Sequence, residues 1–194
     1  MPCYLQELVD AFNESAYLAV LRGGKGIFIE VIETRRDLRL VGPLGAEVHY
    51  HATAAGKAIA ASLPAAARAA LLSRLDLTRL TARTLTTRGR VEREWAEVAR
   101  RGFATNDEET IVGAIFLAAP VLDARPAVCG AVSVGIPKAR YAAALGRKVT
   151  ARLKDACHRL SRALKEAGYV HEDRLDGALR DQRPVSAAAL ALVP

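Results

Sequence analysis

The residues best placed to do chemistry lie in the run 51–58, which reads HATAAGKA. Thr53 is a predicted helix N-cap, so Ala54, Ala55 and the residues after them form a first turn whose leading N–H groups have no partner inside the helix. These donors lie at the positive end of the helix dipole and suit a carboxylate or another hydrogen-bond acceptor. The run therefore predicts one wall of a small-molecule site, and an alanine-rich packed helix is the alternative that periodicity alone favours.

Gly56 and Lys57 invite comparison with a phosphate-binding loop. The pattern G-x-x-x-x-G-K-[ST] requires glycine and a hydroxyl at the positions where this chain has His51 and Ala58. The tight turn and the Mg²⁺ ligand are both missing, which excludes nucleotide binding of that type. A glycine inside the first turn of a helix costs about 1 kcal/mol relative to alanine, a cost that is tolerable if close approach of another backbone or a ligand requires Gly56.

Thiols, imidazoles and carboxylates supply the candidate catalytic groups. The candidates are Cys129, Cys157, His51, His158, Glu108 and Glu109. Cys157 and His158 are neighbours on one predicted helix and point about 100° apart, which is poor geometry for proton transfer. The two glutamates are likewise adjacent rather than paired across a site. The three cysteines form no C-x-x-C pair and no metal-ligand spacing. We therefore predict no catalytic residue, no metal and no cofactor.

Length and composition indicate a single globular domain with an aliphatic core. The chain has 194 residues, of which 51% are apolar and only 5% aromatic. The N-terminus lacks a secretion signal and no segment is apolar enough to span a membrane, so we expect a cytoplasmic protein that does not bind membranes. The net charge of +7 is spread over several segments and does not by itself indicate a DNA-binding protein.

Hydrophobic periodicity and turn residues predict the elements that carry these groups. In the first half we predict a helix over 3–13, strands over 16–21 and 26–32 joined by the turn 22–25, and a short strand over 38–41. Further helices are predicted over 54–62, 64–75 and 91–101, the last ending at Gly102. An extended segment over 103–105, strands over 111–122 and 127–136 with the turn 123–126, and a helix over 138–167 complete the pattern. This order predicts an α+β fold in which helices pack on an antiparallel sheet.

Three segments, taken together and in order, resemble one family. They are residues 51–58, residues 101–109 (RGFATNDEE) with Gly113, and residues 129–135 (CGAVSVG). As a set they resemble the effector-binding domain of the IclR family of bacterial transcriptional regulators. The resemblance implies a GAF/PAS-like sheet flanked by helices, with a linker-like helix over 1–14, the effector-binding domain over 15–168 and a tail over 169–194.

The resemblance also implies the positions of the ligand-binding residues. Ala54 and Ala55 match the place where backbone amides meet the carboxylate of a ligand, which agrees with the helix-start argument. Asn106 stands where many members have Asp, and Ser133 matches a hydroxyl of the pocket. Without the family pattern, Asn106 is better explained as a turn cap and Ser133 as the partner of a neighbouring strand.

Two positions depart from the family pattern. Phe116 stands where a small or polar residue is frequent, and Gly135 stands where a second Ser is found in some members. Both changes make the predicted pocket less polar. They favour a ligand with an aromatic or apolar body, or a pocket that Phe116 largely fills.

The resemblance further implies the partners of the chain. They are a small-molecule effector, an organic acid or an aromatic metabolite, and a second copy of the chain in a dimer or tetramer. In the family a winged helix-turn-helix precedes this domain, and residues 3–13 match the helix that follows it. We therefore expect DNA to be contacted only through a domain absent from this chain. The chain itself is either an excised domain or a family member that naturally lacks the DNA-binding domain. An assembly module without ligand and a small GAF-like enzyme are the alternatives, and direct DNA binding by the basic last helix is the weakest.

Overall fold

The computed structural model describes residues 2–42 and 44–172. The helices are α1 (Pro2–Phe12), α2 (Ala54–Ala61), α3 (Ala65–Arg74), α4 (Arg88–Arg101) and α5 (Ala143–Glu166). The strands are β1 (Ser15–Arg22), β2 (Lys25–Ile32), β3 (Ala104–Asp107), β4 (Ala114–Leu122) and β5 (Val128–Pro137). The predicted α+β class is confirmed.

The strands form one antiparallel sheet in the order β2-β1-β5-β4-β3. Both predicted hairpins are present. Gly23 and Gly24 take positive φ in the turn between β1 and β2, a backbone region that glycine enters without steric cost. The central strand β5 pairs with β1 on one side and β4 on the other, and its ten residues are all buried.

Alternation along the strands sorts side chains onto two faces of the sheet, because successive residues of a strand point to opposite sides. On β5, Val132 and Val134 join a core with α1 and α5. Ala131 points the other way, into a core with α2, α3 and α4. Ser133 and Gly135 follow Ala131 at intervals of two, so they share the face covered by α2.

The predicted strand over 38–41 is wrong. The segment contains bends and runs without strand pairing, and side chains hold its carbonyl groups instead. The Tyr17 hydroxyl donates to the Leu40 carbonyl at 2.5 Å, and Arg140 donates to the Leu38 carbonyl at 3.0 Å. Leu38 and Val41 are exposed, so the alternating apolar residues that suggested a strand do not enter the core.

The helix predicted over 138–167 is interrupted near its start. Lys138–Arg140 form a 3-10 helix, Tyr141 and Ala142 are extended, and α5 begins at Ala143. The Tyr141 ring packs over Gly146, where a Cβ would lie 2.3 Å from the Tyr141 hydroxyl. The lack of a side chain at Gly146 gives the Tyr141 ring room to pack against the first turn of α5.

Two other elements begin three residues away from their predicted starts. Helix α4 begins at Arg88 rather than at residue 91, and it ends as predicted with Gly102 in the left-handed conformation at φ 74°. Strand β4 begins at Ala114 rather than at residue 111. Residues 108–113 form a turn in which Glu108 and Gly113 have positive φ.

The turn between β4 and β5 depends on Asp123, whose residue is 3% exposed. One carboxylate oxygen accepts from the N–H groups of Arg125 at 2.8 Å and Ala127 at 3.0 Å, and the other accepts from the His171 N–H at 3.0 Å. We expect Asp123→Ala to lower the unfolding free energy by about 1–1.5 kcal/mol, because water takes over only part of these bonds.

Urea unfolding followed by circular dichroism measures this loss. Asp10→Ala is the matched control, since Asp10 is exposed on α1 and, among the described residues, its side chain bonds only Gln6 of the same helix. Its unfolding free energy stays within about 0.5 kcal/mol of the unchanged chain. An equal effect of the two substitutions would contradict the role of Asp123.

The domain boundaries at 14/15 and 168/169 stay predictions. The first residues of the predicted tail contact the sheet end, where the Tyr169 carbonyl accepts from the Ala124 N–H at 2.9 Å. Residues 173–194 of that tail lie outside the described residues. Within the described part of the chain, no helix combines the length and apolar character needed to cross a membrane.

Candidate functional site

The N-terminus of α2 has the predicted cap. The Thr53 side chain accepts from the Gly56 N–H at 3.1 Å, and the Thr53 carbonyl accepts from the Lys57 N–H at 2.9 Å. Among the described residues, no hydrogen bond uses the N–H groups of Ala54 and Ala55. The two leading donors of the helix are therefore available to a ligand.

Gly56 explains why this turn is tight. A Cβ at this position would lie 2.6 Å from the His49 carbonyl oxygen and 2.8 Å from the Tyr50 Cα. Of the two possible reasons for a glycine here, the close approach of another backbone is the one that the structure shows, and that backbone is residues 49–50.

A cavity of about 300 Å³ opens in front of these donors. Ala54, Ala55, Asn106, Phe116 and Ser133 all line it. The structure thus brings five of the six predicted site residues to one cavity. The sixth, Gly135, lies beneath the ring of Phe116.

The sheet register produces this convergence. Asn106, Phe116 and Gly135 occupy one row across β3, β4 and β5. Ser133 lies in the next row on the same face, opposite Tyr17 of β1. Residues two apart on a strand share a face, so the two rows form the floor of the cavity while α2 forms its wall.

Asn106 uses its amide to hold the turn between β3 and β4. Its Oδ1 accepts from the Glu109 N–H at 2.8 Å, and its Nδ2 donates to the Thr110 hydroxyl at 2.7 Å. The turn-cap explanation for this residue therefore holds. One N–H of the amide and one lone pair of Oδ1 are left for a ligand, since each group can make a second bond.

Ser133 behaves differently. It is 2% exposed, and among the described residues its hydroxyl takes part in no hydrogen bond. The alternative that Ser133 serves a neighbouring strand is therefore not what the structure shows. A hydroxyl on the wall of an apolar cavity can donate to or accept from a bound molecule.

Phe116 forms part of the cavity floor without filling the cavity. Its ring stands edge to face with Tyr17 at a centroid distance of 5.9 Å, and Tyr17 stands in the same way to Phe28 at 6.3 Å. The missing side chain of Gly135 makes room for this arrangement, because a Cβ there would lie 2.7 Å from a carbon of the Phe116 ring. The three rings give the cavity an apolar side opposite the helix donors.

The sequence reasoning missed Tyr17, Phe28 and His49, which also line the cavity. Alternation along β1 could have placed Tyr17 on the same face as Ala19, but the pairing of Tyr17 with Ser133 has no local signal. Burial raises the pKa of Tyr17 to about 12, so its hydroxyl stays protonated and donates to Leu40. Among the described lining residues none is Lys or Arg, and Glu47 is paired at 2.6 Å with Lys25.

Lys57 is a second omission. Its side chain is 1% exposed, and the ammonium nitrogen lies 2.6 Å from Glu109 Oε1 and 3.3 Å from Glu94 Oε1. Glu94 in turn pairs with Arg101 at 3.1 Å. Burial raises the pKa of Glu109, and the charge of Lys57 opposes that rise. The lysine that resembled part of a phosphate loop is instead one member of an internal cluster of two cations and two carboxylates.

The thiols and imidazoles do not form a catalytic pair. Burial raises the pKa of both Cys129 and Cys157 to about 12, and each thiol donates to a strand carbonyl. His51 bonds the Thr78 carbonyl through Nε2 at 3.0 Å, and burial lowers its pKa. His158 lies exposed on α5. Thiols held in the neutral form are poor nucleophiles.

Two of the basic residues of α5 are engaged within the chain. Arg159 pairs with Glu7 of α1 and with Asp155, and Lys154 donates to the Arg101 carbonyl at 3.1 Å. These contacts reduce the number of cations on α5 that are available to a DNA phosphate. They favour a structural role for the basic face.

The fold and the cavity define an α+β domain whose central sheet carries a helix-capped pocket on one face. Residues 1–162 match the family model described as "Bacterial transcriptional regulator IclR C-terminal". The chain therefore belongs to the IclR family of bacterial transcriptional regulators, as the sequence predicted, and this family consists of regulators rather than enzymes.

The comparisons with individual proteins agree with this assignment. The chain is 36% identical over 136 residues to the "Probable transcriptional regulator SauR" of Cupriavidus necator, covering 70% of this chain and 54% of that protein. The chain thus spans little more than half of the length of that relative.

Solved structures show the same fold. The IclR protein of Thermotoga maritima superimposes with a TM-score of 0.81 at 24% identity, covering 84% of this chain and 66% of that one. A double mutant of the PobR inducer-binding domain from Acinetobacter, in complex with 3-hydroxybenzoic acid, gives a TM-score of 0.72 at 22% identity over 82% of this chain and 94% of that one.

Proposed function

We propose that this chain is the effector-sensing part of an IclR-type regulator and that it binds a small organic acid or an aromatic metabolite in the cavity beneath α2. The observation that carries the proposal is the pairing of two unused N–H groups, those of Ala54 and Ala55, with an apolar cavity large enough for a small ligand. Helix N-termini of this kind bind carboxylates without a neighbouring cation.

The rest of the cavity fits the body of such a ligand. The rings of Tyr17, Phe28 and Phe116 offer an apolar surface. The hydroxyl of Ser133 and the remaining N–H and lone pair of the Asn106 amide offer polar contacts on the floor. A ligand with one carboxylate and a flat apolar body, carrying at most one or two further polar groups, satisfies both ends. The bound 3-hydroxybenzoic acid of the PobR domain has this chemistry.

Ligand binding is proposed to alter self-association in a dimer or tetramer, or DNA binding by the part of the regulator that lies outside this chain. The chain spans 54% of SauR, so we assign DNA contact to the remainder of such a protein. Sedimentation of the chain with and without ligand tests the first effect.

We expect the chain to melt at a higher temperature with 3-hydroxybenzoate, with benzoate or with a short aliphatic carboxylate. A ligand present at about 100 times its Kd raises the unfolding free energy by about 2.7 kcal/mol. Benzamide is the matched ligand control, because it keeps the shape of benzoate without the charge that the helix N-terminus favours. The measurement is a thermal-shift titration of each compound.

Ser133→Leu is the matched variant. A leucine at this position points into the cavity and abolishes the shift, whereas Ser73→Leu on the exposed surface of α3 leaves it unchanged. The proposal fails if a broad panel of carboxylic acids gives no shift, or if the shift is the same in the Ser133→Leu variant.

A further inference from the structure

A buried lysine lies directly behind the ligand-facing end of α2. The Lys57 side chain is among the largest that are fully buried, and lysines are almost never buried to this degree unless they are paired. It follows Ala55 by two residues, so it shares the first turns of the helix with the donors of the cavity. Its partner Glu109 comes from a different element of the fold.

Glu109 belongs to the turn between β3 and β4, which supplies one wall of the cavity. Its N–H donates to Asn106, and its carbonyl accepts from the Thr84 hydroxyl at 2.7 Å. Thr110 and Ile111, the next residues of the turn, line the cavity. The ion pair therefore connects α2 to the β3–β4 turn, two elements that both line the cavity. Neither Lys57 nor Glu109 lines the cavity itself.

We propose that Lys57 and Glu109 are positioning residues, whose direct hydrogen-bonded contact holds the β3–β4 turn against α2 and sets the shape of the cavity before a ligand arrives. This inference rests on the proposed function only for the identity of the ligand that the cavity binds. A wall fixed in advance raises affinity because the ligand does not have to order it.

The surroundings of the pair make its two members unequal. Lys57 also contacts Glu94, so it keeps a carboxylate when Glu109 is lost. Among the described residues, Lys57 is the only cation that contacts Glu109, and the second carboxylate oxygen of Glu109 is buried without a hydrogen-bond partner. A buried carboxylate without a cation moves toward water or takes up a proton. Loss of Lys57 thus releases the turn. Glu109→Gln removes only the charge, because the amide oxygen of Gln still accepts from the Lys57 ammonium group and keeps the turn in contact with α2.

Amide hydrogen exchange of the full chain without ligand tests this asymmetry. We expect Lys57→Met to accelerate exchange of the Glu109 and Ala114 N–H groups by at least about tenfold more than that of amides in β5 and α5. Glu109→Gln changes them by less than about threefold. The double variant Lys57→Met with Glu109→Gln exchanges more slowly in the turn than Lys57→Met alone, because no unpaired charge is left buried.

Lys25→Met is the matched control. It breaks the exposed pair with Glu47, another residue that lines the cavity, and leaves exchange in the β3–β4 turn unchanged. The proposal is overturned if Lys57→Met accelerates exchange equally throughout the chain, or if the double variant is no slower than the single one. Should Lys57→Met not fold, a folded double variant supports the same asymmetry and an unfolded one overturns it.

A second readout uses 3-hydroxybenzoate, where the unchanged chain binds it. The Kd for this compound rises at least about tenfold in Lys57→Met and less than about twofold in Lys25→Met. The exchange measurement needs no ligand, so it decides the role of the pair even if the chain binds none of the compounds tested.

Discussion

Replacing Gly56 by alanine lowers the unfolding free energy by about 3 kcal/mol, although alanine is the better helix former. The new methyl group would lie 2.6 Å from the His49 carbonyl oxygen and 2.7 Å from Thr53 Oγ1. The carbonyl is a backbone group held by the tight turn before α2, and it accepts from the Ala52 and Thr53 N–H groups. The chain relieves the overlap only by moving that turn away from the helix.

The same movement disturbs the cavity, because Thr53 and the two alanines after it line it. We therefore expect the Gly56→Ala variant to lose its response to carboxylate ligands along with its stability. Urea unfolding and a thermal-shift titration measure the two effects.

Gly89→Ala is the matched control. Gly89 also lies in the first turn of a helix, α4, but a Cβ there meets no atom within 4 Å. Without a steric conflict, alanine in a helix stabilises the fold by about 0.5–1 kcal/mol. The two substitutions are thus expected to have opposite signs. If Gly56→Ala is neutral or stabilising, the close approach of residues 49–50 does not constrain the turn.

The parts of the fold that the sequence predicted are those with a local cause. The hairpin at Gly23 and Gly24, the cap at Thr53 and the helix end at Gly102 each depend on residues within a few positions. The strand expected over 38–41 was wrong because its carbonyl groups bond Tyr17 and Arg140, which lie far away in the sequence.

The residues of the candidate site likewise divide into those that a local pattern predicts and those that it does not. Ala54 and Ala55 could be predicted from the helix start, and Asn106, Phe116 and Ser133 only through the family resemblance. The two members of the buried pair Lys57–Glu109 are 52 residues apart, and a lysine in an amphipathic pattern usually indicates a solvated face. Long-range pairing of this kind has no period or spacing that a single sequence displays.

Trp95, the only tryptophan of the chain, supports the segment that precedes α2 from the interior of the domain. Trp95 lies on α4, is 0% exposed, and packs in the core that α2 shares with the sheet. Its indole Nε1 donates to the Tyr50 carbonyl at 3.1 Å. Tyr50 belongs to the backbone that passes closest to Gly56, so the indole holds in place the segment on which the end of α2 rests.

Trp95→Ala is expected to lower the unfolding free energy by about 3–5 kcal/mol, because it removes a large buried side chain and leaves a cavity. Trp95→Phe keeps most of the packing and deletes the donor, which leaves the Tyr50 carbonyl without this partner and costs about 1–3 kcal/mol. Since folded domains are stable by only about 5–15 kcal/mol, the alanine variant loses a large share of its margin. Urea unfolding followed by far-UV circular dichroism measures both variants.

Val112→Ala is the control for Trp95→Ala, because it removes apolar atoms from an exposed side chain instead of a buried one. Val112 is 77% exposed, and its truncation changes the unfolding free energy by less than about 0.5 kcal/mol. A loss below 1 kcal/mol for Trp95→Ala would contradict the packing of α4 on α2. If Trp95→Ala and Trp95→Phe lower the unfolding free energy equally, the whole effect belongs to the indole hydrogen bond. In that case α4 is connected to the ligand-facing end of α2 by the bond to the Tyr50 carbonyl and not by the packing of the ring.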